Sequence, residues 1–313
     1  LGLLKTGKVI GALLAVIGFY APAFTIILII SYFVKQFQDF SLIEIESETT
    51  TDSFLINNLK IIGTSVCQAS VALIIQSAYF QTLNLINSKF QMILLLFSSV
   101  VYILFSDFFV MLFIMLICGI ASAIKKDNDY LLDNNTLRVD LNEFKTVGIF
   151  SMIAFFVIYA ILITGRVFSS SYYFIISEGF YRIGSFAFAG GYSVIPLCLS
   201  EFNTLIEEYE FMHGYAILSL LPGPILNIAG YMGTLLYGLL AGFISLICTL
   251  LPGVLIILAL LPFYDVLKTK TIYQHFLRGA SSAFIGFIFS AAFKLWVDST
   301  ISNPYANVPL GTL

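Results

Sequence analysis

The sequence predicts an all-α, polytopic integral membrane protein built from two homologous helical repeats whose helices are broken or re-entrant. Three observations carry this. Of 313 residues, 59% are hydrophobic and 11% charged, with a mean hydropathy of +0.97, against roughly 45–50% and 25% in an average soluble domain. Apolar runs of membrane-spanning length recur along the chain, each long enough at 1.5 Å per residue to cross a hydrocarbon core of about 30 Å. Gly and Pro interrupt several of these runs, and in a membrane such breaks survive only where protein or a wet cavity satisfies the backbone.

The first run, Val9 to Val34, contains Pro22 and is expected to be kinked or split there. The sequence begins at Leu1 with no charged n-region and no small-residue cleavage site, so the reading expects it to start partway through a larger unit. Lys35 to Asn58 carries Asp39, Glu44, Glu46, Glu48 and Asp52 and is expected to be a solvated loop, with a cation-binding loop as the alternative. Leu59 to Leu83 forms the next span, with Gln68 and Gln76 facing the bundle interior or a neighbouring helix. Phe90 to Ile124 is too long for one span and holds a single charge, Asp107, so it reads as a helical hairpin turning near Ser106 and Asp107.

Lys125 to Lys145 is rich in Asn and Asp and reads as a linker between two membrane halves. The domains are then a first repeat over 1–124, truncated at its amino end, a linker over 125–145, and a complete second repeat over 146–313. Thr146 to Val167 is an uninterrupted span with Arg166 near its end. A broken span covers Tyr172 to Leu199, followed by an acidic patch of Glu201, Glu207, Glu208 and Glu210. Tyr215 to Tyr264 contains no Asp, Glu, Lys or Arg, enough for two spans and a re-entrant piece; Phe276 to Trp296 is the last span.

The two-repeat expectation rests on spacing. Gly2, Gly7 and Gly11 are spaced like Gly233, Gly238 and Gly242, and each set leads to a proline, Pro22 or Pro252, with one single-residue slip.

Composition excludes several classes. A net charge of -3 leaves no basic stripe for nucleic acid. Cys67, Cys118, Cys198 and Cys248 stand far apart in apolar runs, without a C-x-x-C pair and with only His213 and His275 in the chain. They read as buried thiols; no metal and no cofactor is expected. No nucleophile–base pair points to an enzyme.

Function is expected where apolar sequence meets Gly and Pro most densely. These stretches are F-A-F-A-G-G-Y-S-V-I-P, Phe186 to Pro196, and L-L-P-G-P-I-L-N, Leu220 to Asn227. A half-helix N-terminus offers unpaired N–H groups and positive potential to an anion. Gly190, Gly191 and Gly223 permit close backbone approach, flanked by Tyr192 and Asn227. The alternative is tight helix packing through small residues. Arg182, four residues before Phe186, is either the guanidinium that meets an anion or an interfacial anchor. Glu178 and Glu201 are the carboxylates nearest the first break and the candidates for proton coupling.

These motifs, in this order, together with L-L-P-G at Leu250 to Gly253, resemble the carboxy-terminal half of the chromate ion transporter family over roughly Tyr172 to Trp296. Gly2 to Leu83 resembles the later part of that family's amino-terminal half. Ala189 stands where the family usually has the first glycine of F-G-G-G-Y. The resemblance implies a two-repeat secondary transporter that exports chromate in exchange for protons and handles related tetrahedral oxyanions such as sulfate. Its expected partners are the anion, protons and the lipid bilayer of the plasma membrane, with a homodimer as an expected assembly. The competing reading is a non-transporting remnant or an accessory subunit of a membrane heteromer.

Overall fold

The computed structural model describes residues 9–44, 53–105, 107–125, 145–169, 171–187, 191–221, 223–263 and 270–301. Every regular element among them is helical. In chain order these are α1 (Val9–Glu44), α2 (Ser53–Leu85), α3 (Lys89–Leu104), α4 (Phe108–Lys125), α5 (Lys145–Phe168) and α6 (Tyr172–Phe186). Then come a 3-10 turn (Gly191–Ser193), α7 (Val194–Glu201), α8 (Glu208–Leu220), a second 3-10 turn (Ile225–Asn227), α9 (Ile228–Tyr237), α10 (Leu239–Leu260) and α11 (Thr271–Ile301). Five of the described helices contain stretches long and apolar enough to cross a membrane: Leu14–Gln36, Phe108–Lys125, Lys145–Phe168, Leu239–Phe263 and Thr271–Val297. The chain is a multi-pass integral membrane protein.

At the amino end, helix α1 is not split at Pro22, whose carbonyl accepts a hydrogen bond from the Thr25 hydroxyl at 2.9 Å, and the expected loop is corrected. Lys35 to Glu44 and Ser53 to Asn58 are helix, not loop. The reason is local: K-Q-F-Q-D-F-S-L-I-E holds no Gly or Pro, so the helix continues past the apolar run. Residues 45–52, with Glu46, Glu48 and Asp52, lie outside the described residues, as do Gly2, Gly7 and the expected linker over 126–144.

The α3–α4 hairpin turns where the sequence predicts, across 105–107. Its first helix starts at a capping box: the Ser88 hydroxyl accepts from the Gln91 N–H at 3.3 Å, and the Gln91 side chain accepts from the Ser88 N–H at 3.2 Å. Both helices pack on α11, which also packs on α2. Helix α11 is the axis of the fold: 67% of its apolar window is buried, against 11% for α5, which is peripheral. Gly279 and Gly286 let α11 approach the Cys118 carbonyl on α4 and the Leu95 carbonyl on α3. The Ser99 hydroxyl donates to the Gly286 carbonyl at 2.9 Å and the Ser290 hydroxyl to the Ser99 carbonyl at 2.7 Å, tying α3 to α11. Gln68 and Gln76 are exposed on α2, turned away from the described bundle.

The uncharged stretch after Tyr215 builds α9 and α10 as an antiparallel pair joined by one residue, Gly238, at φ +90°. Only glycine adopts that conformation without strain. Helix α10 is continuous through Pro252 and packs on α6, α5 and α9. Helix α1 lies along α9, and the Lys35 ammonium donates to the Leu236 carbonyl at 3.4 Å, where α9 ends.

Candidate functional site

The first break follows from its residues. Helix α6 stops at Ala187, and the chain resumes at Gly191–Ser193, leading directly into α7. Pro196 falls in the first turn of α7, where a helix needs no donor from it. Phe188, Ala189 and Gly190 lie outside the described residues, so the expectation for Gly190 falls there too. The second break has the same form. Helix α8 opens on the acidic patch, where Glu210 accepts from the Glu207 N–H at 3.4 Å and the carboxylates face the positive end of the helix. It ends before Pro222, which is outside the described residues; Gly223 and Pro224 then lead through Ile225–Asn227 into α9.

The two breaks meet. A Cβ built at Gly191 would lie 3.2 Å from the Leu226 Cδ1 and 3.9 Å from the Ile225 Cβ, so the two 3-10 turns are in contact and the N-termini of α7 and α9 open on one junction. Tyr192 is half-buried beside it, packed on the core. Gly223 is held against Ala23 of α1, so close that any side chain there would overlap the Ala23 methyl.

Asn227 is the unusual residue. It is fully buried, 0% exposed, and neither its amide nitrogen nor its oxygen has a hydrogen-bond partner. Its Nδ2 would lie 3.6 Å from a Cβ at Gly223, so the amide is aimed into the break. A buried unpaired amide costs about 1–3 kcal/mol. The junction therefore presents, inside the membrane protein, a donor held ready beside two helix N-termini.

Arg182, Glu178 and Glu201 form a second cluster, together with Arg166. The Arg182 guanidinium pairs with Glu201 and lies 3.4 Å from Glu178, and Arg166 pairs with Glu178. Glu178 is 3% exposed and Arg182 8%, so the centre of the network is buried, while Arg166 reaches it from an exposed position near the end of α5. Its pairs tie α6 to α7 across the first break and α5 to α6. The guanidinium carbon of Arg182 sits 4.8 Å from the centre of the Phe108 ring and 5.4 Å from that of Phe109, at the start of α4. Its Nε has no hydrogen-bond partner. Phe108 also packs edge-on against Phe186, at 6.0 Å between ring centres, so the same ring spans the turn of α6 between Arg182 and the break.

Sequence reading thus names three of the four charges. Arg166 is not among them, because a cation at a span end is usually an interfacial anchor; the signal available was the short connection from Arg166 to Tyr172, which returns the chain toward Glu178 within one helical hairpin. Ala23, which sets the position of Gly223, has no signal in an apolar run.

Residues 174–311 match the family model described as chromate transporter. The resemblance read from the motifs holds over this segment, which includes both breaks, Glu178, Arg182, Glu201 and Asn227, while Arg166 and Ala23 lie outside it. Among curated proteins, the chain is 27% identical over 248 residues to a protein of Methanocaldococcus jannaschii described as an uncharacterized transporter, an alignment covering 76% of this chain and 60% of that protein. It is 26% identical over 138 residues to the chromate transport protein of Cupriavidus metallidurans, covering 43% of this chain and 34% of that protein. The chain therefore spans less than two thirds of the length of either relative. No solved structure matches.

Proposed function

We propose that this chain is the membrane-embedded core of a secondary transporter, located in the plasma membrane, that moves chromate or a related tetrahedral oxyanion such as sulfate by alternating access coupled to protons. Its organisation as two repeats belongs to the same proposal.

The observation that supports it most is the Asn227 amide, fully buried and unpartnered, aimed at Gly223 where two helix N-termini meet. A tetrahedral oxyanion needs donors in a low-dielectric site, and amide N–H groups at helix N-termini supply them without the penalty of an added buried charge. In this reading Gly191 and Gly223 let the backbone close on the anion, Tyr192 borders it and Asn227 donates to it. Gly190, in the first motif, belongs to the same proposal. Arg182, on the limb that leads to the first break, contributes positive charge, and Glu178 and Glu201 hold it there.

Labelled chromate and sulfate uptake into proteoliposomes, with and without a pH gradient, tests this. Gradient-dependent uptake that is lost in Asn227→Ala and in Arg182→Ala is the expected result. Folded protein that takes up neither anion under any gradient supports instead the accessory-subunit reading.

A further inference from the structure

We infer that a second copy of this chain packs on the outward face of α2, along the stripe formed by Gln68, Ala72 and Gln76. This contact is independent of the transport reading above.

Helix α2 lies at membrane depth by its composition and its neighbours. No Asp, Glu, Lys or Arg falls between Lys60 and Lys89. The helix packs on α11, which is long and apolar enough to span, and on α8. Its inner face is apolar, with Val71, Ile74 and Ala78 buried. Gln68, Ala69, Ala72 and Gln76 are exposed on the other side, turned away from the described bundle.

Lipid selects the reverse arrangement. The outward faces of α4 and α5 show it, with Phe113 and Ile120 exposed on one and Ile153 and Phe156 on the other. An exposed hydroxyl in such a face returns its proton to its own helix, as Thr25 does to the Pro22 carbonyl and Thr164 to the Ala160 carbonyl at 2.7 Å. A glutamine amide carries two donors and an acceptor, and among the described residues neither Gln68 nor Gln76 has a hydrogen-bond partner. Left against hydrocarbon these amides are costly. A facing helix that bonds them removes the cost.

The spacing points to a copy of α2 as that helix. Gln68, Ala72 and Gln76 recur at intervals of four, so the stripe is the same read from either end. A two-fold axis beside Ala72 sets Ala72 against Ala72 of the second copy and each glutamine against a glutamine, whether the two helices run parallel or antiparallel. An amide is donor and acceptor at once and pairs with its own kind, which is what an isologous interface requires. The small side chains of Ala69 and Ala72 let the two backbones approach closely.

The test uses the full chain in liposomes at a series of protein-to-lipid ratios, with energy transfer between donor-labelled and acceptor-labelled copies as the readout. Wild type is expected to associate as a dimer. Gln68→Leu combined with Gln76→Leu is expected to remain folded and to raise the protein density needed for half-association by about tenfold or more. Ala72→Cys is expected to give an oxidative dimer cross-link well above the background set by the native cysteines, whereas Phe156→Cys, on the exposed face of α5, stays at that background. Monomeric wild type at every density overturns the inference and assigns the face to lipid or to a different polypeptide. Association that a folded leucine pair leaves unchanged overturns it too. So does an Ala72→Cys cross-link no stronger than that of Phe156→Cys, and this comparison decides alone where the leucine pair does not fold. None of these results bears on oxyanion uptake, so the two readings fail separately.

Discussion

Arg182 on α6 pairs with Glu201 at the far end of α7, so one buried ion pair closes the two limbs of a helix that breaks between them. The pair fixes the angle at which α7 returns, and with it the place where Gly191 meets Leu226.

Removing the cation strands Glu201 and leaves Glu178 paired with Arg166 alone. Arg182→Leu is expected to destabilise the protein by about 3–5 kcal/mol. Adding Glu201→Gln to it removes one uncompensated charge and is expected to restore part of that loss, a non-additivity that a double-mutant cycle in detergent reads directly.

Asn227 predicts the opposite sign. Its amide has no partner in the described state, so Asn227→Leu, similar in volume and apolar, is expected to leave the melting temperature unchanged or raise it, by up to about 1–3 kcal/mol in stability. A residue present for packing would lose stability on the same change. Thermal unfolding of the two purified proteins in one detergent decides between them.

Much of this was legible in the chain. The α3–α4 hairpin followed from an apolar run too long for one span with a lone Asp107 in it, and both breaks followed from Gly and Pro where a buried helix avoids them. That the two breaks meet was not legible, because contact between Gly191 and Leu226 depends on how α1, α9 and α10 pack, through Ala23, Phe24 and Gly242 at distant positions. The extension of α1 to Glu44 was misread because acidic residues suggest a loop. A helix leaving the membrane tolerates the same residues when no Gly or Pro stops it.

Gly223 and Gly191 should differ in tolerance. Gly223→Ala places a methyl on the Ala23 methyl, which is fixed to the α1 backbone, and is expected to cost about 1–3 kcal/mol. Ala23→Gly is expected to rescue it. Gly191→Ala meets only the Leu226 Cδ1 at 3.2 Å, the movable end of a side chain, and is expected to cost less. Stability of the three variants, measured by thermal unfolding, ranks them.

Away from the site, Gly286→Val forces a side chain against the Leu95 carbonyl and the Ser98 hydroxyl, where α11 and α3 share the Ser99 and Ser290 hydrogen bonds. Neither neighbour can yield without moving α3. The expected result is a loss of about 1–3 kcal/mol or more in stability, read as a lowered melting temperature and reduced recovery of folded protein.

The central claim, that the junction of the two breaks binds an oxyanion, is tested most directly by equilibrium binding of labelled chromate to purified wild-type and Asn227→Leu protein. The account predicts saturable binding to wild type that sulfate competes away, and affinity weakened by about tenfold or more in Asn227→Leu, the loss of one buried hydrogen bond to a charged group at about 1.5–3 kcal/mol. Equal affinity in the two proteins, both folded, would contradict it.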